Sequence, residues 1–314
     1  MEHTPKLSIV IATYNRSRVL RHAIWSVVKS TFTDWELIVV GDACTDDTSA
    51  CVESFADPRI RYVNLAVNCG DQSGPNNHGI SLARGRYIAF LNHDDLYLPD
   101  HLATCVTALD SGGADLVWVP CAVAGVRGDA ETGGAPCTFS LAGVPAVHGY
   151  TPFAFYCASS WVFRRELAER VGPWPRVDRL FVTTSQAWLF RAWRAGAALQ
   201  FLPKVGVILV WSGSRAGSYA QRESPEHDAL VRWMMSDPLA RERIFEEAAV
   251  SAAMRQVSTV YHEPWKNAAR SILHPILTFL VRAGVHPSSL HHAVRYGRRG
   301  GFMRWHRRMT GIES

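Results

Sequence analysis

Short apolar runs rich in β-branched residues recur through the first 120 residues, each followed by a stretch with helical periodicity. Residues 7–12 (LSIVIA), 37–40 (LIVV), 60–65, 87–91 (YIAFL) and 115–119 read as strands. Between them, Leu20, Ala23, Ile24, Val27 and Val28 mark a helix capped by Ser17, the Thr- and Asp-rich segment 41–48 leads into a second, and residues 74–84 and 99–109 carry two more. Such alternation predicts an α/β fold with a doubly wound, mostly parallel sheet flanked by helices, whose ligands bind beyond the carboxyl ends of the strands.

Three of those ends carry residues suited to a ligand: Tyr14 follows the first strand, Asp42 the second and Asp94 the fourth. The fourth strand runs straight into Asn92-His93-Asp94-Asp95, and adjacent carboxylates repel each other. A divalent cation relieves that repulsion, since hard oxygen ligands suit Mg²⁺ or Mn²⁺ and the remaining coordination sites take phosphate oxygens. For an isolated pair a solvated Asp-Asp turn is the better reading, but Tyr14 and Asp42 in register favour a common crevice.

Residues 8–16 (SIVIATYNR), 40–48 (VGDACTDDT), 77–95 (NHGISLARGRYIAFLNHDD) and 185–191 (SQAWLFR) together carry a resemblance to the family 2 glycosyltransferases of GT-A fold, over roughly the first two thirds of the chain. The resemblance implies an inverting, nucleotide-sugar-dependent transferase in which Tyr14 stacks on the donor base and Asp42 accepts a hydrogen bond from it. An aromatic face suits a planar base, and a carboxylate pairs with the imide N–H of uracil or thymine, which points to UDP- or dTDP-sugars. It also implies donor contacts from Thr13, Arg16, Asn76, Asn77 and His93, and a Mn²⁺ or Mg²⁺ site at Asp94 with Asp95 beside it. Relatives often carry Asp-x-Asp where this chain has Asn92-His93-Asp94, and an Arg where it has Asn76, so one metal ligand and one phosphate contact are absent.

Inverting transfer needs a base to deprotonate the acceptor hydroxyl. The family's segment commonly reads Ser-Gln-Asp-Trp-Leu, but here Ala187 stands at the base position. Ala187 cannot accept a proton. The chain is therefore either a base-less form of an active transferase or a homologue that uses another base or transfers nothing, with Asp178 the nearest replacement carboxylate. Farther on, the segment that closes over the diphosphate in the family corresponds to residues 211–227, where Arg215 is a candidate phosphate contact and His227 a candidate metal ligand. A nucleotidyltransferase is disfavoured, because no Gly-rich, Lys-containing phosphate loop follows the first strand.

These readings divide the chain into a GT-A domain over 1–235, with a nucleotide-sugar half at 1–120 and an acceptor half at 121–235, and a helical basic extension at 236–314. Residues 121–150, rich in Gly, Ala and Pro, read as a loop insertion, residues 199–210 as one final strand, and Trp161, Trp174 and Trp188 as pocket or core aromatics. Seven cysteines without a Cys-x-x-Cys pair argue against a disulfide framework or zinc site, and no apolar run reaches membrane-spanning length. A cytoplasmic protein is the expectation. Residues 281–314 carry seven arginines against Glu313, a charge of +6 in a chain whose total is +5. That tail is a candidate for the anionic inner face of the plasma membrane, whereas nucleic acid is disfavoured because no nucleic-acid module accompanies it. The partners implied are a nucleotide-sugar donor and a glycan or lipid-linked acceptor. The alternative class is a non-catalytic nucleotide-sugar binder or partner subunit.

Overall fold

The computed structural model describes residues 3–126, 135–145, 149–210, 216–221, 224–261 and 264–312. In its first half β1 (Leu7–Thr13), α1 (Ser17–Val28), β2 (Trp35–Gly41), α2 (Thr48–Glu53), β3 (Ile60–Asn64), α3 (Ser73–Leu82), β4 (Tyr87–Phe90), β5 (Asp95–Tyr97), α4 (His101–Asp110) and β6 (Leu116–Trp118) follow in turn. Then come β7 (Cys121–Val126), β8 (Cys137–Ala142), β9 (Trp161–Arg164), α5 (Arg165–Val171), α6 (Thr184–Arg194), β10 (Leu199–Phe201) and β11 (Val207–Val210). Helices close the chain: α7 (Ser218–Gln221), α8 (Pro225–Ser236), α9 (Ala240–Tyr261), α10 (Pro264–Arg282), α11 (Ser288–Tyr296) and α12 (Gly301–Thr310).

The main sheet has the order β10-β6-β9-β4-β1-β2-β3 and is parallel except for β9, which runs antiparallel to β4 and β6. An unbroken β-branched run makes β1 a central strand, covered on both faces. Its Leu7, Ile9 and Ile11 enter one core with Leu20, Ile24 and Leu102, while Val10 enters the other with Phe90, Trp174 and Trp188. Helix α3 lies close on β1, and Gly79 permits it: a Cβ there would sit 2.3 Å from Val10 Cγ1. The chain proceeds from β1 to β2 and β3, then returns to the opposite edge of β1 as β4. This reversal opens a crevice beyond the ends of β1 and β4, where such sheets bind ligands.

Several expectations need correction. Residues 121–150 are not a plain loop insertion, because β7 and β8 pair antiparallel within a second sheet of order β5-β11-β7-β8. Residues 199–210 are two strands in two different sheets, interrupted at 202–206, where Pro203 lacks a ladder donor. Ser17 does not cap α1, since its hydroxyl donates to Asp47 at 2.5 Å. Of the two readings of Trp161, Trp174 and Trp188, core is the one found, with ring centroids 6.2–6.3 Å apart. The boundary at 235 cuts through one core, in which Leu230 and Trp233 of α8 and Ala240, Ile244 and Ala248 of α9 pack with Leu96 and Ile208 of the second sheet. All seven cysteines are free, and no helix among the described residues is long and apolar enough to cross a membrane.

Candidate active site

A cavity of about 340 Å³ occupies the crevice. Thr13 and Tyr14 reach it from the end of β1, Asp42 from β2, His93 and Asp94 from β4, and Tyr219 from α7. The loops beneath are laced together. Asn15 Oδ1 accepts from the Thr45 N–H at 2.8 Å, and Cys44 N–H donates to Asn64 Oδ1 at 2.8 Å. Asn15 and Ala43 are held at φ 47° and 59°, left-handed positions that non-glycine residues occupy only where surroundings hold them.

Asp42 is buried and accepts the backbone N–H groups of Cys69 and Gly70 at 2.7 and 3.1 Å. Burial raises its pKa, and those two amides act against the rise. Each oxygen keeps a second lone pair, so the carboxylate can still accept from a ligand. Thr13 Oγ1 is buried and meets no protein partner among the described residues. His93 has its Nε2 3.3 Å from the Tyr219 hydroxyl, and burial pushes its pKa down to about 4, so the ring is neutral near pH 7.

Asp94 faces the cavity, and Arg16 lies beneath it. The Arg16 side chain is fully buried, with Nη1 3.7 Å from Asp94 Oδ2 and the guanidinium 4.8 Å from the centre of the Tyr219 ring. Arg16 does not line the cavity, so this arrangement makes it a support for Asp94 and Tyr219 rather than a donor contact.

Other expected residues are engaged elsewhere. Asp95 turns inward, where Oδ2 accepts from Ser159 Oγ at 2.5 Å and Asn92 Nδ2 at 2.8 Å. Burial, aided by the charge of Asp94, raises its pKa to about 7; it fastens the turn after β4 and is not placed to share a metal with Asp94. His227 is buried with Nε2 2.8 Å from the Asp94 carbonyl oxygen and Nδ1 2.7 Å from Ser224 Oγ. Because a carbonyl only accepts, Nε2 carries the proton and is no metal ligand here. Asn77 clamps the Trp174 backbone through both ends of its amide, at 2.8 and 3.0 Å, and neither it nor Asn76 lines the cavity. Ala187 sits half-buried in the first turn of α6, its N–H bonded to Thr183 O at 3.0 Å. Asp178 is exposed and pairs with Arg176 at 3.2 Å. Both lie outside the cavity wall, and Arg215 lies outside the described residues.

The cavity has a wall that sequence reasoning missed. Phe302, Met303, His306 and Arg307 of α12, with Ile312 beyond it, line it together with the strand-end residues. Asp71 lines it too, accepting from the N–H groups of Ser73 at 2.6 Å and Val177 at 3.2 Å. The cluster of basic and aromatic residues in 301–308 was the one available signal for α12; for Asp71 there was none.

The model of glycosyl transferase family 2 matches residues 8–172, which include every strand end of this crevice. The chain belongs to glycosyl transferase family 2. Among family 2 relatives, a GalNAc(5)-diNAcBac-PP-undecaprenol beta-1,3-glucosyltransferase of Campylobacter jejuni is 36% identical over 115 residues, 35% of this chain and 36% of that protein. The matches to that protein and to the succinoglycan biosynthesis protein ExoO of Rhizobium meliloti span about a third of each relative's length. In structure, S. aureus TarS 1–349 in complex with UDP-GlcNAc superposes with a TM-score of 0.56 at 17% identity, covering 93% of this chain and 92% of that one. Mannosyltransferase PcManGT from Pyrobaculum calidifontis, in complex with GDP-Man and Mn²⁺, gives 0.50 at 15% identity over 99% and 89%. At these identities the two structures bear on the fold, which is the GT-A fold of family 2.

Proposed function

We propose that this chain binds a UDP- or dTDP-sugar in the crevice between β1 and β4 and transfers the sugar, with inversion, to a hydroxyl of a glycan or lipid-linked acceptor in cell-surface polysaccharide or glycoconjugate biosynthesis. The observation that carries the reading is the convergence of Tyr14, Asp42 and Asp94 from three separate strands on one cavity. Tyr14 offers the base a stacking face, and Asp42, held by two backbone amides, offers an acceptor matched to an imide N–H. The relative named for transfer to a PP-undecaprenol carrier and the neighbour captured with UDP-GlcNAc support the substrate classes.

A divalent cation fits this site in a limited way. Among the described residues no group of three His, Cys, Asp or Glu side chains could hold one, and Asp94 is the candidate ligand facing the cavity. Mg²⁺ and Mn²⁺ accept one protein carboxylate together with diphosphate oxygens and water. When bound, the ion would supply Lewis-acid neutralisation of the departing diphosphate. Arg16, 3.7 Å from the Asp94 carboxylate, would share that carboxylate with the ion.

Ala187 supports a second reading, a nucleotide-sugar binder that transfers slowly or not at all, because the position where the family's base is expected has no proton acceptor. Calorimetry with UDP, dTDP and GDP, with Mn²⁺ and again with EDTA, followed by a donor-turnover assay, tests both. Metal-dependent binding of UDP or dTDP that Asp94→Ala weakens supports the donor site, and turnover then separates enzyme from binder. Equal affinity with and without EDTA would remove the metal; failure of every nucleotide to bind would remove the reading.

A peripheral seat on an anionic membrane fits the exposed Leu273, Ile276 and Phe279 of α10 and Leu290 and Val294 of α11, which accompany Arg282, Arg295 and Arg298.

A further inference from the structure

The crevice has an electrostatic imbalance that its strand-end residues do not resolve. Asp42, Asp71 and Asp94 line it, and among the described lining residues Arg307 is the one side chain with a permanent positive charge. An anionic diphosphate entering a cavity with three carboxylates needs a cation in the wall, and Arg is the side chain best matched to phosphate oxygens. Asn76, where the family resemblance implies an arginine, is buried and does not line the cavity.

Arg307 is held in place by the fold rather than swinging free on a tail. Its Nη1 donates to Gly70 O at 3.1 Å, on the loop whose amides at Cys69 and Gly70 hold Asp42. Gly70 adopts φ +78°, a conformation that favours glycine, and a Cβ there would lie 2.4 Å from Arg307 Nη1, so a side chain at position 70 would displace the guanidinium from this seat. Helix α12 is fastened at both ends: Gly300 N–H donates to Leu180 O at 2.7 Å, and Met309 O accepts from Gly217 N–H at 2.9 Å. His306, one residue before, is partly buried, and the Asp94 charge opposes the downward shift that burial gives its pKa.

We propose that α12 is the diphosphate-facing wall of the donor site and that Arg307 contacts the diphosphate, supplying from the C-terminus the cation that position 76 lacks. The proposal rests on the nucleotide-sugar reading above and extends it to residues far outside the matched family region. On this proposal, removal of residues 281–314 weakens nucleotide binding, whereas removal of a separate tail would leave it unchanged.

The test is a ligand ladder on the full-length chain at fixed Mn²⁺, with uridine, UMP, UDP and inorganic pyrophosphate titrated into wild type, Arg307→Gln and Arg307→Lys. The expected result is a loss of about tenfold in UDP affinity for Arg307→Gln, the size of a charge-assisted hydrogen bond, with uridine unchanged and most of the loss restored by Lys. Uridine affinity on the same sample reports that the crevice is still folded. Equal losses for uridine and UDP, or no loss for either, would overturn the proposal while the donor site stands. If wild type ignores uridine and UDP yet binds pyrophosphate in an Arg307-dependent way, the phosphate contact holds and the nucleotide reading is what fails.

Discussion

Position 187 is where the family resemblance implies a general base, and Ala187 supplies none. A correctly placed general base contributes on the order of 10²- to 10⁴-fold in rate. Ala187→Asp should therefore raise donor turnover steeply with little change in UDP affinity; flat turnover across that variant would mean the base lies elsewhere. His101 carries a second residue-scale consequence. It is buried between Tyr97, with ring centroids 4.5 Å apart, and Cys105, and burial pushes its pKa down to about 3. A folded-state pKa below the unfolded value means that its contribution is fully present above about pH 6.5 and is lost as pH falls toward 3. His93, His227 and His286, each lowered to about 4 by burial, act in the same direction. Urea titrations at pH 6.5, 6.0, 5.5 and 5.0 should show stability declining with acid. His101→Leu should flatten that decline by up to about 1.4 kcal/mol per pH unit, one proton's worth. An unchanged slope would show that His101 is protonated in the folded state.

Among the elements, the contact of α3 with β1 leaves no room for a side chain at Gly79. With Gly79 against Val10, any added side chain meets the strand that carries Thr13 and Tyr14. Gly79→Val should cost about 1–3 kcal/mol by overpacking and weaken UDP binding through displacement of the β1 end, as read by urea midpoints and calorimetry. A variant of wild-type stability would show that α3 can lift without cost. The elements legible in the sequence were those whose pattern is local: β1 and β2 announced themselves as continuous β-branched runs, and α1 by its apolar spacing. The hairpin of β7 and β8 was hidden because Ala122, Ala124 and Gly125 are small, and its pairing with β11 is a contact between distant segments.

At the scale of the whole molecule, the basic C-terminus has two sides that truncation cannot separate. One lines the cavity through α12, and the other exposes apolar residues and arginines on α10 and α11. Charge reversal on the outer side distinguishes them: Arg295→Glu with Arg298→Glu should lower co-sedimentation with anionic liposomes, each arginine near the surface being worth about 1 kcal/mol, while UDP affinity stays at the wild-type value. Equal co-sedimentation would leave these arginines as a solvated face. By itself the sequence determined the alternation of strands and helices, the parallel sheet, and the placing of Tyr14, Asp42 and Asp94 at strand ends, because these follow from side-chain periodicity and residue order along short segments. Only the tertiary structure decided that Asp95 turns inward to Ser159, that His227 spends its Nε2 proton on the Asp94 carbonyl, and that Arg307 returns across the chain to Gly70. The orientation of a side chain at a strand end, and the partner of a helix more than 200 residues away, depend on what packs beside them, and no local pattern encodes that.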